Sequence, residues 1–236
     1  MTPMYDHQLF VSTISEFTRT LLNPYDPTVA LNDLATRVTD VLALAGSGVT
    51  LATDGYLRFV TAVPEAVGDL ERYQEEHQKG PCVAAYESGD TVAVHDLRDR
   101  AAVWPEYCAI AERLGMGAVA GIPMRLGEHT FGALNLYAAG TRAWPDEDLD
   151  AAAVLADMAT AYLINASTYH QQEQLNEQLQ RALDSRIVIE QAKGVIAEAQ
   201  RIDVEKAFDR IRQHARSHNV KVRDVAEAIV HVGLRI

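Results

Sequence analysis

The sequence predicts an α+β protein, with helices and paired strands in its first part and helices alone in its last part. Apolar residues first recur with the 3.6-residue period of a helix, and from Gly46 the pattern changes to short runs typical of strands. From Pro145 the helical period returns and continues toward the end of the chain. Hydrophobic residues make up 48% of the 236 residues, so the chain can bury a core.

The first part alternates helices with hairpins. A first helix is predicted over Tyr5–Leu22, ended by the two prolines of the segment NPYDP, and a second begins near Thr28. Two strands follow, joined at Asp54–Gly55, a residue pair favoured in tight hairpins. A short strand in DTVAVHDL and a helix in WPEYCAIAERLG, stopped by Gly115, precede two more strands around Gly127–Glu128.

A long helix is predicted from Pro145, because proline is well tolerated in a first helical turn. The helix continues into a polar, glutamine-rich segment in which leucines recur in steps of four, at Leu175, Leu179 and Leu183. A single thin apolar seam of this kind favours a short coiled coil that joins two copies of the chain. The alternative is a solvated linker helix without a partner.

The last part of the chain predicts three amphipathic helices around a small core. The second helix begins at Asp203, a good N-cap, and Asn219 marks its end. The residues expected in the core of the three helices are Val188, Ala192, Val195, Ile196 and Ala199; then Val204, Ala207, Phe208, Ile211 and Ala215; then Val222, Val225, Ala226, Ile229 and Val230. A core this small is marginal, so support from the coiled coil is expected.

The net charge of the chain also changes near the start of its last part, at about residue 170. Residues 170–236 carry 11 basic and 10 acidic side chains, a net charge of +1, whereas the first 169 residues carry 10 basic and 23 acidic side chains, a net charge of −13. The acidic part should repel nucleic acid, and the last part permits its binding. Two parts with different partners are therefore expected.

The sequence favours a reduced, cytoplasmic protein without a membrane anchor. The two cysteines, Cys82 and Cys108, form no CxxC pair. The start of the chain lacks a basic region followed by an apolar one, so no signal peptide is predicted. The longest apolar runs are interrupted by polar residues and are too short to cross a bilayer.

Gly194 lies within the first of the three predicted C-terminal helices, although a mid-helix glycine costs about 1 kcal/mol relative to alanine. The helical period places a polar face, with Gly194 beside it, at Arg186, Glu190, Lys193 and Ala197. An exposed Gly–Lys pair would let a base or sugar approach the backbone while Lys193 meets phosphate. The alternative is that Gly194 lets a neighbouring helix pack closely.

The segment that begins ALDSRIVIEQAKG and ends KVRDVAEAIV resembles the ANTAR domain of transcription antitermination regulators. The matching pieces are SR.VIEQAKG, AF..IR..AR..N and K.RDVA, in the family's order; where the family often has methionine after AKG, this chain has Ala197. The resemblance implies a dimeric three-helix domain that binds paired RNA hairpins. Hairpin loops present unstacked bases that proteins can read. The RNA-binding residues expected first are Arg186, Gln191, Lys193 and Gly194, and secondarily Arg212, Lys221 and Arg223.

The acidic part resembles a GAF domain over residues 28–165, through the stretches KGPCVAAYESGDTVAVHDLRD, RLGMGAVAGIPMRL and FGALNLYAAGTRAWPDEDL. The resemblance implies a mostly antiparallel sheet flanked by helices that binds a small ligand or serves for dimerisation. The cysteines do not supply the set used by GAF methionine sulfoxide reductases, and Cys82 lacks the histidine that follows a bilin-attachment cysteine. A lone histidine, His95, is more often structural than a ligand. No cofactor and no metal are therefore expected.

Together these features predict an N-terminal helix (1–27), a GAF-like sensor (28–165), a coiled-coil linker (166–184) and an ANTAR-like RNA-binding domain (185–236). The expected function is a homodimeric, signal-responsive antitermination regulator of hairpin RNA, with a small molecule or a protein as the signal. One alternative is a small-molecule-binding or redox GAF protein with an accessory helical tail. A second alternative is a DNA-binding tail, although few base-reading side chains lie at the start of the third helix.

Overall fold

A computed structural model of the chain describes residues 5–20 and 26–236. The N-terminal part has five helices: α1 (His7–Thr20), α2 (Pro27–Val41), α3 (Gly68–His77), α4 (Pro81–Ser88) and α5 (Pro105–Arg113). The five strands are β1 (Gly46–Thr53), β2 (Tyr56–Val63), β3 (Val92–Val94), β4 (Ala118–Leu126) and β5 (His129–Ala138). The C-terminal helices are α6 (Asp146–Gln200), α7 (Val204–Ser217) and α8 (Val222–Glu227), the last continuing as a π-helical segment, Ala228–Val232.

The strands form one antiparallel sheet in the order β2-β1-β5-β4-β3. Both predicted hairpins are confirmed. Asp54 and Gly55 have positive φ angles of 52° and 81°, as a tight turn requires. The predicted stop of α5 at Gly115 is also confirmed, with φ 73°.

Helices cover both faces of the sheet. On one face α1, α2 and the first part of α6 bury a large core that includes Phe17, Leu34, Leu134 and Leu155. On the other face α3 and α5 bury a smaller core, and α4 packs nearby against β4 and β5. Because side chains alternate along a strand, β4 supplies Ile122 to one face and Val119 to the other.

The role of Pro27 differs from the sequence expectation. Pro27, interpreted as part of a stop signal, is the first residue of α2, where Asp26 caps the helix by accepting a 2.7 Å hydrogen bond from the Thr28 amide. The predicted first helix reaches Leu22, but residues 21–25 lie outside the described part of the chain. Helices α3 and α4 were not predicted.

The described residues form two compact units that divide between Thr168 and Tyr169, within α6. In the second unit, a three-helix core consists of Val188, Ala192, Ile196, Ala207, Ile211, Ala215, Val225, Ala226 and Ile229. The predictions for Val195, Ala199 and Val204 are wrong, since all three are exposed. The inward stripe of α6 is centred on Ala192, Lys193 and Ile196 instead, which turns Val195 and Ala199 outward.

Among the described helices, α6 alone is long and apolar enough to cross a bilayer by length and composition. Its most apolar stretch is 44% buried inside the protein. Leu155 and Tyr162, both almost fully buried, pack in the core against the sheet and α1. These contacts make this part of α6 a core helix of the first unit.

Candidate nucleic-acid interface

Lys193 is not the exposed cation that the sequence predicted. Only 8% of the residue is exposed, and its Nζ lies 3.0 Å from Glu190 Oε1 and 3.8 Å from Glu205 Oε1. The same ammonium lies 5.4 Å from the centre of the Phe208 ring. The aliphatic stem of lysine packs well against apolar neighbours while the charged end finds acidic partners. Lys193 therefore ties α6 to α7. The expected exposure of this side chain is wrong, and its contact with phosphate stays a prediction.

Gly194 is exposed, and a Cβ built on it would meet nothing within 4 Å. Close packing by a neighbouring helix of the same chain therefore does not explain this glycine. Glu190 and Glu198 lie one helical turn before and after it, both exposed. These two carboxylates would repel phosphate, so the bare backbone strip suits an uncharged base or sugar better than a phosphate.

Gln191 and Arg223 lie together although they are far apart in sequence. With Asp184, Ile187, Val188, Glu227 and His231, they line a hollow of about 250 Å³ between α6 and α8. The Arg223 Nε donates a 2.8 Å hydrogen bond to Glu227 Oε1, which raises the pKa of the guanidinium. The hollow therefore offers hydrogen-bond donors and acceptors with little net positive charge.

The other predicted residues lie on the surface of the second unit. Arg186 is exposed, and the described residues give it no ion pair. Arg212 has a guanidinium 5.4 Å from the Phe208 ring and 4.0 Å from Asp209 Oδ1. Lys221 is the exposed N-cap residue of α8. Phe208, predicted in the core, is half-buried, with Lys193 and Arg212 both near its ring.

Sequence reasoning missed two further cations, Arg210 and Arg216, both exposed on α7. The signal was visible, because no acidic residue occurs from Arg210 to Arg223. Sequence reasoning also missed two stacked imidazoles at the end of α7. The rings of His214 and His218 lie 4.1 Å apart at an angle of 24°.

The first unit contains a buried polar cluster around Glu71, which is fully buried. The carboxylate accepts hydrogen bonds of 3.0 and 2.9 Å from Asn135 Nδ2 and one of 2.8 Å from the Tyr137 hydroxyl. Burial, only partly offset by these hydrogen bonds, raises the pKa of Glu71 to about 7. Gly48 lies directly beneath, where a Cβ would come within 2.0 Å of Glu71 Oε1, so a larger residue does not fit.

Two more polar atoms are buried beside this carboxylate or nearby without a hydrogen-bond partner among the described residues. They are Asn135 Oδ1 and Gln74 Nε2. Burial also raises the pKa of Tyr107 and Tyr137 well above the usual value. The interior of this unit is therefore polar at its centre and holds an ionisable group that titrates near neutral pH.

Neither thiol has the lowered pKa of a nucleophile. Burial raises the pKa of Cys82 to about 12, and its sulfur lies 2.9 Å from Thr50 Oγ1. Burial also raises the pKa of Cys108, which donates a 3.3 Å hydrogen bond to the Leu97 carbonyl. His95 Nδ1 lies 3.0 Å from the Arg142 carbonyl oxygen. Within the described ranges no group of three or more His, Cys, Asp or Glu residues could hold a metal ion.

Comparison with known proteins assigns both units. The GAF domain family matches residues 26–163, more than half of the chain, and the ANTAR domain family matches residues 177–230. No curated protein matches the chain significantly.

Several solved structures share the fold of the first unit. Free methionine-R-sulfoxide reductase from Neisseria meningitidis is 14% identical, with a TM-score of 0.52 over 70% of this chain and 95% of that one. The GAF domain of a phosphoenolpyruvate-protein phosphotransferase from Coxiella burnetii is 16% identical, with a TM-score of 0.54 over 70% and 98%. The corresponding domain from Acinetobacter is 11% identical, with a TM-score of 0.52 over 69% and 97%.

This domain combination supports a signal-sensing regulator with an RNA-binding output, and it is typical of soluble cytoplasmic regulators rather than of enzymes. The chain belongs to the GAF family and consists of a GAF domain followed by an ANTAR domain.

Proposed function

We propose that the chain is a signal-responsive transcription antitermination regulator that binds paired hairpins in nascent RNA. The observation that carries this proposal is the ANTAR match over residues 177–230. In the proposal, residues 28–165 receive a small-molecule or protein signal, residues 166–184 pair two copies, and residues 185–236 bind RNA. Hairpins held by the protein cannot unfold to form an overlapping terminator, so transcription continues.

The proposed reading surface is the outward side of α6. Arg186 and Gln191 are exposed there, and the Gly194 backbone is open to approach. Unstacked loop bases can hydrogen-bond to the Gln191 amide and stack on the Arg186 guanidinium plane. Glu190 and Glu198 favour an uncharged part of the nucleotide at Gly194. The predicted roles of Arg212, Lys221 and Arg223 are kept as supporting contacts, and Lys193 acts by holding α6 in place.

Pairing of two copies is supported by an exposed apolar stripe on α6. Leu175, Leu179, Leu183 and Ile187 follow one another in steps of four and are 56%, 61%, 52% and 49% exposed. Burying one such side chain stabilises a protein by roughly 1.5–3 kcal/mol. A second copy of the same helix is the occupant that fits a self-complementary stripe. A dimer presents two RNA-binding units, which suits a leader with two hairpins.

The redox alternative is less well supported. An enzyme of that class needs an activated thiol, and burial raises the pKa of both Cys82 and Cys108. The GAF fold shared with a methionine sulfoxide reductase is a likeness of fold, at 14% identity.

The test of the proposal is RNA binding by the full chain, measured by fluorescence anisotropy. The probes are a two-hairpin leader RNA, a single hairpin from it, and duplex DNA of the stem sequence. We expect the two-hairpin RNA to bind at least tenfold more tightly than the single hairpin, and the DNA to bind weakly. Equal binding of the DNA and the RNA would contradict an RNA-specific regulator. A transcription assay with a terminator template should show read-through that depends on the protein.

A further inference from the structure

The second unit contains a basic segment outside α6, and two of its cations, Arg210 and Arg216, have no role in the proposed function so far. From Arg210 to Arg223 the sequence is RIRQHARSHNVKVR, with five Lys or Arg residues, two histidines and no acidic residue. The chain as a whole has a net charge of −12. A run of fourteen residues without an acidic side chain therefore stands out from the acidic background.

The run folds into a tight corner between α7 and α8. The Asn219 backbone has a left-handed φ of 52°, and the amides of Asn219 and Val220 donate hydrogen bonds of 3.3 and 3.0 Å to the carbonyls of Arg216 and Ala215. Ile211 and Ala215 point into the core. Arg210 and Arg216, which flank these two core positions on α7, are exposed, and so is Lys221 after the turn.

Three of the five cations are available. Arg223 is paired with Glu227 at 2.8 Å, and Arg212 lies 4.0 Å from Asp209. Arg210, Arg216 and Lys221 are exposed, and no acidic side chain among residues 5–20 and 26–236 lies within 4.0 Å of their charged ends. Three unpaired cations also outweigh the partial negative charge at the C-terminal end of α7.

The corner also carries polar and aromatic groups suited to a nucleic-acid backbone. Arg210, Gln213, His214, Ser217 and Ile236 line a hollow of about 340 Å³. The stacked rings of His214 and His218 lie at the same end of α7. Arginine forks match phosphate oxygens, and hydroxyl, amide and imidazole groups are common partners of phosphate and sugar.

We propose that this basic corner, defined by Arg210, Arg216 and Lys221, is a second RNA contact that binds the phosphates of a hairpin stem. The proposal rests on the proposed RNA-binding function and deepens it. It assigns the electrostatic contacts with phosphate to α7 and the start of α8. The exposed backbone at Gly194, which lies between Glu190 and Glu198, would contact bases of the hairpin loop. In the proposal, Arg210, Arg216 and Lys221 make the phosphate contacts that the sequence predicted for Lys193.

The test is the salt dependence of RNA binding. Each phosphate contact contributes about 0.7–0.9 to the slope of log affinity against log salt. The full chain with Arg210→Ala, Arg216→Ala and Lys221→Ala should therefore lose roughly 2 to 3 from this slope. A charge-matched control carries Arg58→Ala, Arg72→Ala and Arg98→Ala; these side chains are exposed and paired with acids in the GAF domain. The control should keep the wild-type slope.

Further variants distinguish a distorted fold from the loss of a phosphate contact. A version with Arg210→Lys and Arg216→Lys keeps both charges and should keep the slope, which checks that the corner itself has not been distorted. If the alanine variant melts at a lower temperature than wild type, the corresponding glutamine variant replaces it. A wild-type slope in a folded alanine or glutamine variant overturns the basic corner while leaving RNA binding intact. Absence of hairpin-specific binding by the wild-type chain overturns the proposed function itself.

Discussion

Glu71→Gln should remove a pH dependence from the stability of the GAF domain. The Glu71 carboxyl has an ordinary pKa of 4.5 and a pKa of about 7 in the folded protein. Because the folded pKa is the higher one, the stabilising contribution of this group is complete below pH 4.5. It is lost as pH rises through 7, where the folded protein must hold a buried charge. A shift of this size corresponds to about 3 kcal/mol between acid and alkaline pH.

The neutral amide introduced by Glu71→Gln has nearly the same shape and never ionises. Its oxygen can accept the hydrogen bond from the Tyr137 hydroxyl, and the Asn135 amide can turn so that its unpartnered Oδ1 accepts from the new NH2 group. The variant should therefore match wild type near pH 5 and exceed its unfolding free energy by up to about 3 kcal/mol at pH 8.

The assay is urea unfolding at pH 5, 6, 7 and 8, followed by tryptophan fluorescence. Both tryptophans, Trp104 and Trp144, lie in the first unit, so the signal reports on the GAF domain alone. The matched control is Glu76→Gln, which removes an exposed charge from the same helix. Parallel pH profiles for wild type and Glu71→Gln would refute the reasoning, because they would place the titration of Glu71 outside this range.

Three further predictions concern the C-terminal unit. Gly194→Ala should raise stability by up to about 1 kcal/mol, weaken hairpin binding about tenfold and leave the salt slope unchanged; normal affinity in the folded variant would exclude close approach of RNA. Lys193→Ala should lower the unfolding free energy by about 2 kcal/mol without changing the salt slope, and Lys193→Met should recover part of the loss through its apolar stem; a flattened slope would restore the phosphate contact. Leu179→Glu with Leu183→Glu should convert a dimer to a monomer in light scattering, and an unchanged dimer would place the interface elsewhere.

The elements with long, regular apolar periods could be predicted from the sequence, whereas α3, with a polar inward face, and the short α4 could not. The hairpins at Asp54–Gly55 and Gly127–Glu128 follow from turn chemistry and alternating strands. Helix α3 was missed because two positions of its inward face are Glu71 and Gln74, both fully buried. A buried carboxylate breaks the rule that an inward stripe is apolar.

Within the candidate interface, the sequence could place residues on α6 but could not tell which charges are free. Gly194 is exposed as expected, because its flank of the helix faces away from the core. Lys193 was misplaced since its burial depends on Glu205 and Phe208, which come from another helix. Arg210 and Arg216 were overlooked although the sequence from Arg210 to Arg223 has no acidic residue. The structure adds that, within the described ranges, neither side chain is paired with an acidic residue from another helix.

The long helix α6 has a consequence for hydrogen exchange. Its first part includes the buried Ala152, Leu155 and Ala159, and its last part includes the buried Ala192 and Ile196. Every residue from 171 to 184 is exposed. Amide protection in that stretch depends on helical hydrogen bonds alone, which open easily without tertiary packing. One continuous helix should therefore show fast-exchanging amides between two slow segments. Slowing of that middle stretch with rising protein concentration would report directly on the encounter of two chains.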